Sequence, residues 1–227
     1  MNVFTFWEGQ MPEYIRLCMK TWKVDFKLLN YSNLHEYTNF DARQLEGRLT
    51  IPQIADCIRV HVLRDNGGIW LDADTIMISD KLPKANMLGD PEQRTQTIGF
   101  LQTNAYSKMF NEWAQFQNEI IESENISTHW SVVGNDFTDS YVKEHPEIII
   151  DDIRKRWPET YMIEGSIQRR WKYESFYFAQ HYGLKDIEKT DLLMLHNSWT
   201  PEWYKKLSST EILASDNTMS NILKETL

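Results

Sequence analysis

Between residues 51 and 75 the chain reads IPQIADCIRVHVLRDNGGIWLDADT, and no other stretch restricts the fold as strongly. Ile54, Ile58 and Val62 recur at helical spacing, Pro52 suits a first turn, and Gly67-Gly68 ends the run, so a helix is expected over 51–66. GIWLDAD then follows without a loop and reads as a buried strand. A strand places alternate side chains on one face, so Asp72 and Asp74 are expected to point the same way with carboxylates that repel. A divalent cation answers that repulsion: Mg²⁺ or Mn²⁺ takes carboxylate oxygens and fills its shell with phosphate oxygens and water. The plain alternative is a pair of aspartates that cap a turn or sit in solvent. Asp56 and Arg59 stand three apart on the helical face turned away from the Ile54/Ile58 stripe, where an ordinary surface ion pair is the plain alternative.

The flanking segments alternate in the same way. NVFTFW (2–7) reads as a strand, the segment from Pro12 as a helix burying Ile15, Cys18, Met19 and Trp22, and FKLLNY (26–31) as a second strand. Ser32 is expected to cap a short helix from Asn33 to about Phe40. The pattern βαβαβ predicts an α/β fold, a single mostly parallel sheet flanked by helices, with ligands gathered at the carboxyl ends of the strands. Downstream, DKLPKANMLGDPEQ reads as a turn-rich loop and TIGFLQT as a strand. Tyr106 to Glu124 reads as a helix packing Met109, Phe110, Trp113 and Phe116, and a further helix opens at Gly134 or Asn135. EIIID is a short strand, and LLMLHNSW a late one that delivers His196 at its carboxyl end.

The 227 residues carry a formal net charge of -9. That excludes the broad basic field of a general nucleic-acid binder, so an anionic ligand has to be held locally, by a metal or a few placed arginines. No apolar run is long enough to span a bilayer, and MNVFTFWEGQ lacks the pattern of a signal peptide, so a cytoplasmic protein is expected. Cys18 and Cys57, both at apolar-flanked helical positions, are expected to be reduced packing residues.

Ala55, Asp56, Arg59, Gly67, Gly68, Ile69, Trp70, Leu71, Asp72 and Asp74 together form a long pattern. It resembles that of the GT-A glycosyltransferases with a DXD sugar-binding region, which include bacterial capsular polysaccharide transferases and, more distantly, the glucosylating domains of large clostridial toxins. The resemblance implies a single GT-A domain over 1–227, with a nucleotide-sugar half at 1–78 and an acceptor half with a closing segment at 79–227. It implies transfer of galactose or glucose from a UDP-sugar to a glycan acceptor, with retention of configuration and with Mn²⁺ or Mg²⁺. Asp74 then coordinates the ion and Asp72 meets ribose or metal-bound water. Asp56 and Arg59 bond the donor sugar hydroxyls, and Phe6 and Trp7 contact uracil. Asn135 and Asp136 open a helix near the donor sugar, although Asn135 stands where the family has proline. His196, Asn197, Ser198 and Trp199 resemble the family's closing element, with the Trp199 indole N–H near the scissile oxygen. By analogy with capsule assembly the acceptor is lipid-linked, which implies peripheral contact with the inner face of the cell membrane.

His196 is expected to be the third protein ligand to the ion, because two aspartates on one strand cannot fix its orientation alone. The stretch 152–173 sets Arg154-Lys155-Arg156 and Arg169-Arg170 with Lys172 beside Trp157 and Trp171, a candidate headgroup-facing surface. Two other functions compete. IWLDADTIM also fits the HAD-type phosphatases, with Asp72 as nucleophile and Asp74 as general acid, but an entire βαβα half precedes the strand and would have no role there. A non-catalytic sugar-binding module draws only on the nine tryptophans.

Overall fold

A computed structural model describes residues 1–123, 126, 129–159 and 169–227. In chain order the elements are β1 (Val3–Phe6), α1 (Glu13–Lys20), β2 (Phe26–Leu29), α2 (Ile51–Asn66), β3 (Gly68–Leu71), β4 (Thr75–Met77), β5 (Met87–Asp90) and β6 (Thr95–Thr103). They continue with α3 (Lys108–Glu122), α4 (Asn135–Glu144), β7 (Ile150–Asp152), α5 (Arg169–Glu174), β8 (Leu192–Met194), α6 (Glu202–Lys205), α7 (Ser209–Ala214) and α8 (Thr218–Thr226). The chain forms two compact units, one of 1–8, 25–72 and 84–152, the other of 9–24, 73–83 and 153–227.

The first unit is built on a six-stranded sheet of order β2-β1-β3-β6-β5-β7. β1 runs parallel to β2 and β3, and β5 parallel to β7, while β6 is antiparallel to both its neighbours. The expected mostly parallel sheet with flanking helices is therefore present. Helix α2 packs on β1, β3 and β6 and against α3. Its Ile54, Ile58, Val62 and Leu63 are fully buried, each contributing about 1.5–3 kcal/mol of apolar burial.

Both ends of α2 lie where the sequence sets them. The Thr50 N–H donates to Gln53 Oε1 at 3.0 Å, the backbone half of a capping box. At the other end Gly67 and Gly68 adopt φ of 63° and 104°, which favours glycine. A Cβ on Gly67 would lie 2.5 Å from Ala105 N, and one on Gly68 2.4 Å from Asn2 O. The paired glycines thus let the chain reverse from helix into β3 while two backbone segments press against it.

Three expectations are corrected in this unit. Instead of a helix over 33–40 there is a single 3-10 turn, Leu34–Glu36, because Asn33 turns its side chain back to the Asn30 N–H rather than capping a longer helix. The segment expected to be one loop contains β5, which Gly89 allows to lie so close to β6 that a Cβ there would sit 1.9 Å from Thr95 O. And β3 ends at Leu71, so Asp72, Ala73 and Asp74 lie in a turn and strand alternation does not set their direction.

The second unit carries a two-stranded antiparallel ribbon, β4 with β8, that the sequence did not announce. α1 packs on β4, and α6 and α7 pack on α1. Ile15, Cys18 and Met19 of α1 are buried as expected, and the core is unusually aromatic, with Tyr14, Tyr173, Tyr177, Tyr204 and Phe176 fully enclosed. Both cysteines are free and buried. Among the described residues no helix is long and apolar enough to cross a membrane.

Candidate active site

In the first unit the site is assembled around Arg59. The face of α2 turned away from the Ile54/Ile58 stripe is buried too, which removes the surface ion pair: Asp56 is 4% and Arg59 6% accessible. Arg59 Nη2 lies 2.9 Å from Asp56 Oδ1 and 3.3 Å from Asp72 Oδ1. Its Nη1 donates to the Ile98 carbonyl of β6 and its Nε to the Ala55 carbonyl at 3.4 Å. The guanidinium also lies over the Trp70 ring, 5.2 Å from its centroid. A planar fork serving carboxylates and carbonyls at once is a task that lysine cannot reproduce. Burial pushes the Asp56 carboxyl up to about 7, against the pull of Arg59 and with a further push from Asp72.

Asp72 is the outward member of this cluster, its side chain 33% accessible. The Trp70 indole N–H donates to Asp72 Oδ1 at 2.8 Å, and the Asp72 N–H donates to Gly99 O at 2.9 Å. The carboxylate is thereby fixed just past the carboxyl end of β3, the place where α/β sheets bind ligands. Trp70 was missed as a site residue. Its signal was its place two residues before Asp72, but only the turn beyond Leu71 brings indole and carboxylate together.

The neighbouring predicted residues fall around the same end of the sheet. Gly134 lies so close to Asp56 that a Cβ there would be 3.1 Å from Oδ2, which sets the start of α4 against the Asp56 carboxyl. Gln117 Nε2 ties that loop to α2 by donating to Asp56 O and Val133 O. Asn135 donates to Gln96 O at 3.0 Å, and the exposed Asp136 accepts from the Ser131 hydroxyl. Phe6 is a core residue packed on Tyr31. Trp7, just beyond β1, bonds through its backbone to Leu29 O, while its buried indole nitrogen has no hydrogen-bond partner among the described residues.

Asp74 and the closing segment belong to the second unit. The Asn197 N–H donates to Asp74 Oδ2 at 2.8 Å, and the Leu195 N–H to the Asp74 carbonyl at 3.1 Å. LLMLHNSW therefore does bring its polar end to the second aspartate, through a backbone amide. The His196 ring packs on Trp199, centroids 3.9 Å apart, and near Trp157 and Tyr173. Burial, with Arg169 nearby, pulls His196 down to about 4. Ser198 is exposed on the turn closed by the Trp199 N–H to His196 O bond. Among the described residues no three His, Cys, Asp or Glu side chains form a metal cluster.

Residues 160–168 of the basic stretch 152–173 lie outside the described residues. Of the remainder, Arg156 is corrected from a surface cation to a buried one, bonded through Nε and Nη2 to the two oxygens of Asp191 at 3.0 and 2.9 Å.

The family model described as capsular polysaccharide synthesis protein matches residues 1–152, more than half of the chain. This chain belongs to that family. The resemblance read from residues 55–74 is thus borne out at the family level, and the phosphatase alternative is not favoured. The span matched to the capsular polysaccharide synthesis family holds Asp56, Arg59, Asp72 and Asp74, while His196 to Trp199 lie beyond it. Among solved structures the PaToxG glycosyltransferase is similar at 18% identity and a TM-score of 0.44, over 64% of this chain and 68% of its own. An active-site mutant of LgtC is similar at 10% identity and a TM-score of 0.42, over 100% of both chains. Both fall below the similarity that would carry a fold or a function across. Among curated proteins none matches the sequence.

Proposed function

We propose that this member of the capsular polysaccharide synthesis family is a GT-A-type glycosyltransferase. It moves galactose or glucose from a UDP-sugar to a glycan acceptor, with Mn²⁺ or Mg²⁺ and with retention, giving an α-linked product. The observation that carries the reading is the family match over 1–152, since building a polysaccharide is repeated formation of glycosidic bonds and the matched span contains the whole Asp56–Asp74 pattern.

The chain's own residues support parts of this reading. Asp72, oriented by Arg59 and the Trp70 N–H, is assigned to ribose or metal-bound water. Trp7 and Phe6 are assigned to uracil, at the carboxyl end of β1. Asp56, Arg59, Asn135, Asp136 and Ser198 are the residues assigned to the donor sugar, Arg59 chiefly by fixing Asp72. Asp74 and His196 are the assigned metal ligands. Their chemistry fits, because a carboxylate is a hard oxygen donor and a histidine held at about 4 is neutral at physiological pH, the form that ligates. When bound, the ion supplies Lewis-acid stabilisation of the leaving diphosphate. Trp199 is assigned to donate its indole N–H toward the scissile oxygen. A lipid-linked acceptor at the inner face of the cell membrane would be met by Arg154, Lys155, Arg169, Arg170 and Lys172.

A panel of UDP-sugars assayed for Mn²⁺-dependent release of UDP tests this directly, with proton NMR reading the anomer of the released or transferred sugar. The reading expects one hexose donor to dominate and EDTA to abolish turnover. Hydrolysis of an aryl phosphate, or an aspartyl complex with beryllium fluoride, in place of UDP-sugar turnover would return the phosphatase.

A further inference from the structure

Asp74 is supported by a connection that its motif does not announce. Its Oδ2 accepts the Asn197 N–H at 2.8 Å, and the Oδ1 of the same asparagine accepts the Tyr14 hydroxyl at 2.5 Å. Tyr14 lies on α1, 183 positions from Asn197 in sequence, and Asn197 lies 123 from Asp74. The tyrosine is fully buried against Tyr204, and Thr200 also hydrogen-bonds its hydroxyl. Burial, and then the Asp74 charge, keep that hydroxyl protonated far above its usual range, so it acts as the donor and Asn197 Oδ1 as the acceptor. The bond to the Asp74 carboxylate is charge-assisted, and the Tyr14 bond pins the side chain of the residue that makes it.

We infer that Tyr14 and Asn197 are positioning residues for Asp74: α1 sets the Asn197 side chain, which holds the 196–199 turn so that its backbone amide orients the Asp74 carboxylate for the cation. This rests on the assignment of Asp74 as a metal ligand. The arrangement also accounts for the placement of polar residues that packing alone does not require, since a phenylalanine would fill the Tyr14 site equally well. Supporting partners of metal ligands commonly shift metal affinity by about 10-fold to 100-fold when removed.

The test is Tyr14→Phe, with Asn197→Ala and the double variant, in the full chain. Free Mn²⁺ is titrated by electron paramagnetic resonance without substrate, and hydrogen exchange of the Asn197 amide is followed by NMR without metal. Tyr14→Phe should raise the Mn²⁺ dissociation constant about tenfold and speed exchange at Asn197. The double variant should be no worse than Asn197→Ala, because both act through one connection. A variant with a lowered melting temperature but unchanged Mn²⁺ affinity and exchange would reduce Tyr14 to a packing residue and overturn the inference. Asp74→Asn separates the two layers. If it binds Mn²⁺ normally, the ligand assignment fails, and the positioning role is then decided by Asn197 exchange alone: faster exchange in Tyr14→Phe upholds it and unchanged exchange overturns it.

Discussion

At the scale of single residues, Arg59 is the side chain on which most depends. It satisfies two carbonyls and two carboxylates from a buried position, so Arg59→Ala would leave Asp56 charged or forced to protonate inside the unit. Breaking a buried pair of this kind costs about 3–5 kcal/mol, a loss that urea denaturation would read. Arg59→Lys keeps the charge but loses the fork. It should cost less stability, about 1–3 kcal/mol, yet lower kcat more than it weakens UDP binding, since Asp72 is left held by Trp70 alone. Asp56 supplies a pH signature. Its carboxyl is raised from 3.8 to about 7, so between those values the folded protein holds a proton that the unfolded chain has lost. Stability from this group is therefore complete below about 4 and falls as pH rises toward 7. His61 and His196, both lowered, act in the opposite sense, their contribution being lost as pH falls below the unfolded histidine value. Comparing wild type with Asp56→Asn cancels the histidines. The stability difference, wild type minus variant, should decline steadily from pH 4 to 7 in equilibrium denaturation, and a flat difference would mean that Asp56 is ionised throughout. The identities of Asp56, Arg59, Asp72 and Asp74 were legible in sequence because they recur in one long pattern. Their burial was not, because α3 and the loop before α4 come from more than forty residues downstream to cover the second face of α2.

At the scale of elements, α2 and its exit show which signals are local. Thr50, Pro52 and Gly67 act within a turn of the helix ends, and the helix spans 51–66 as they require. The strand reading of Asp72 and Asp74 failed for the complementary reason. β3 stops where its pairing with β1 and β6 stops, and pairing partners cannot be read from the strand itself. β5 was hidden likewise: MLGD carries no alternation, and it is a strand because β6 and β7 lie beside it. The glycine pair gives a prediction that belongs here. Gly67→Ala combines a positive φ with a Cβ 2.5 Å from Ala105 N, and Gly68→Ala meets Asn2 O at 2.4 Å. Each should destabilise by about 2–4 kcal/mol, the strain of an unfavourable backbone region plus displacement of a neighbouring backbone. Thermal denaturation would read it. An effect below the error of the measurement at Gly68 would show that β3 can shift away from the amino-terminal strand without loss.

At the scale of the molecule, a chain of net charge -9 has no general field to attract a nucleotide diphosphate. UDP binding is therefore expected to be linked to the cation. UDP with Mn²⁺ should raise the melting temperature, UDP with EDTA should not, and the rise should grow with the logarithm of UDP concentration. Equal protection with and without metal would mean that side chains hold the diphosphate directly. The most direct measurement of glycosyl transfer is turnover of a labelled UDP-hexose in Mn²⁺, wild type beside Asp74→Asn, with circular dichroism establishing that both are folded. The wild type should release UDP and form labelled sugar product, and the variant should lose about a hundredfold or more, because the amide keeps the shape of Asp74 and removes the charge that holds the ion. Normal Mn²⁺-dependent turnover by Asp74→Asn would rule out Asp74 as the residue that holds the ion, and no turnover of any UDP-hexose by the wild type would rule out UDP-hexose transfer.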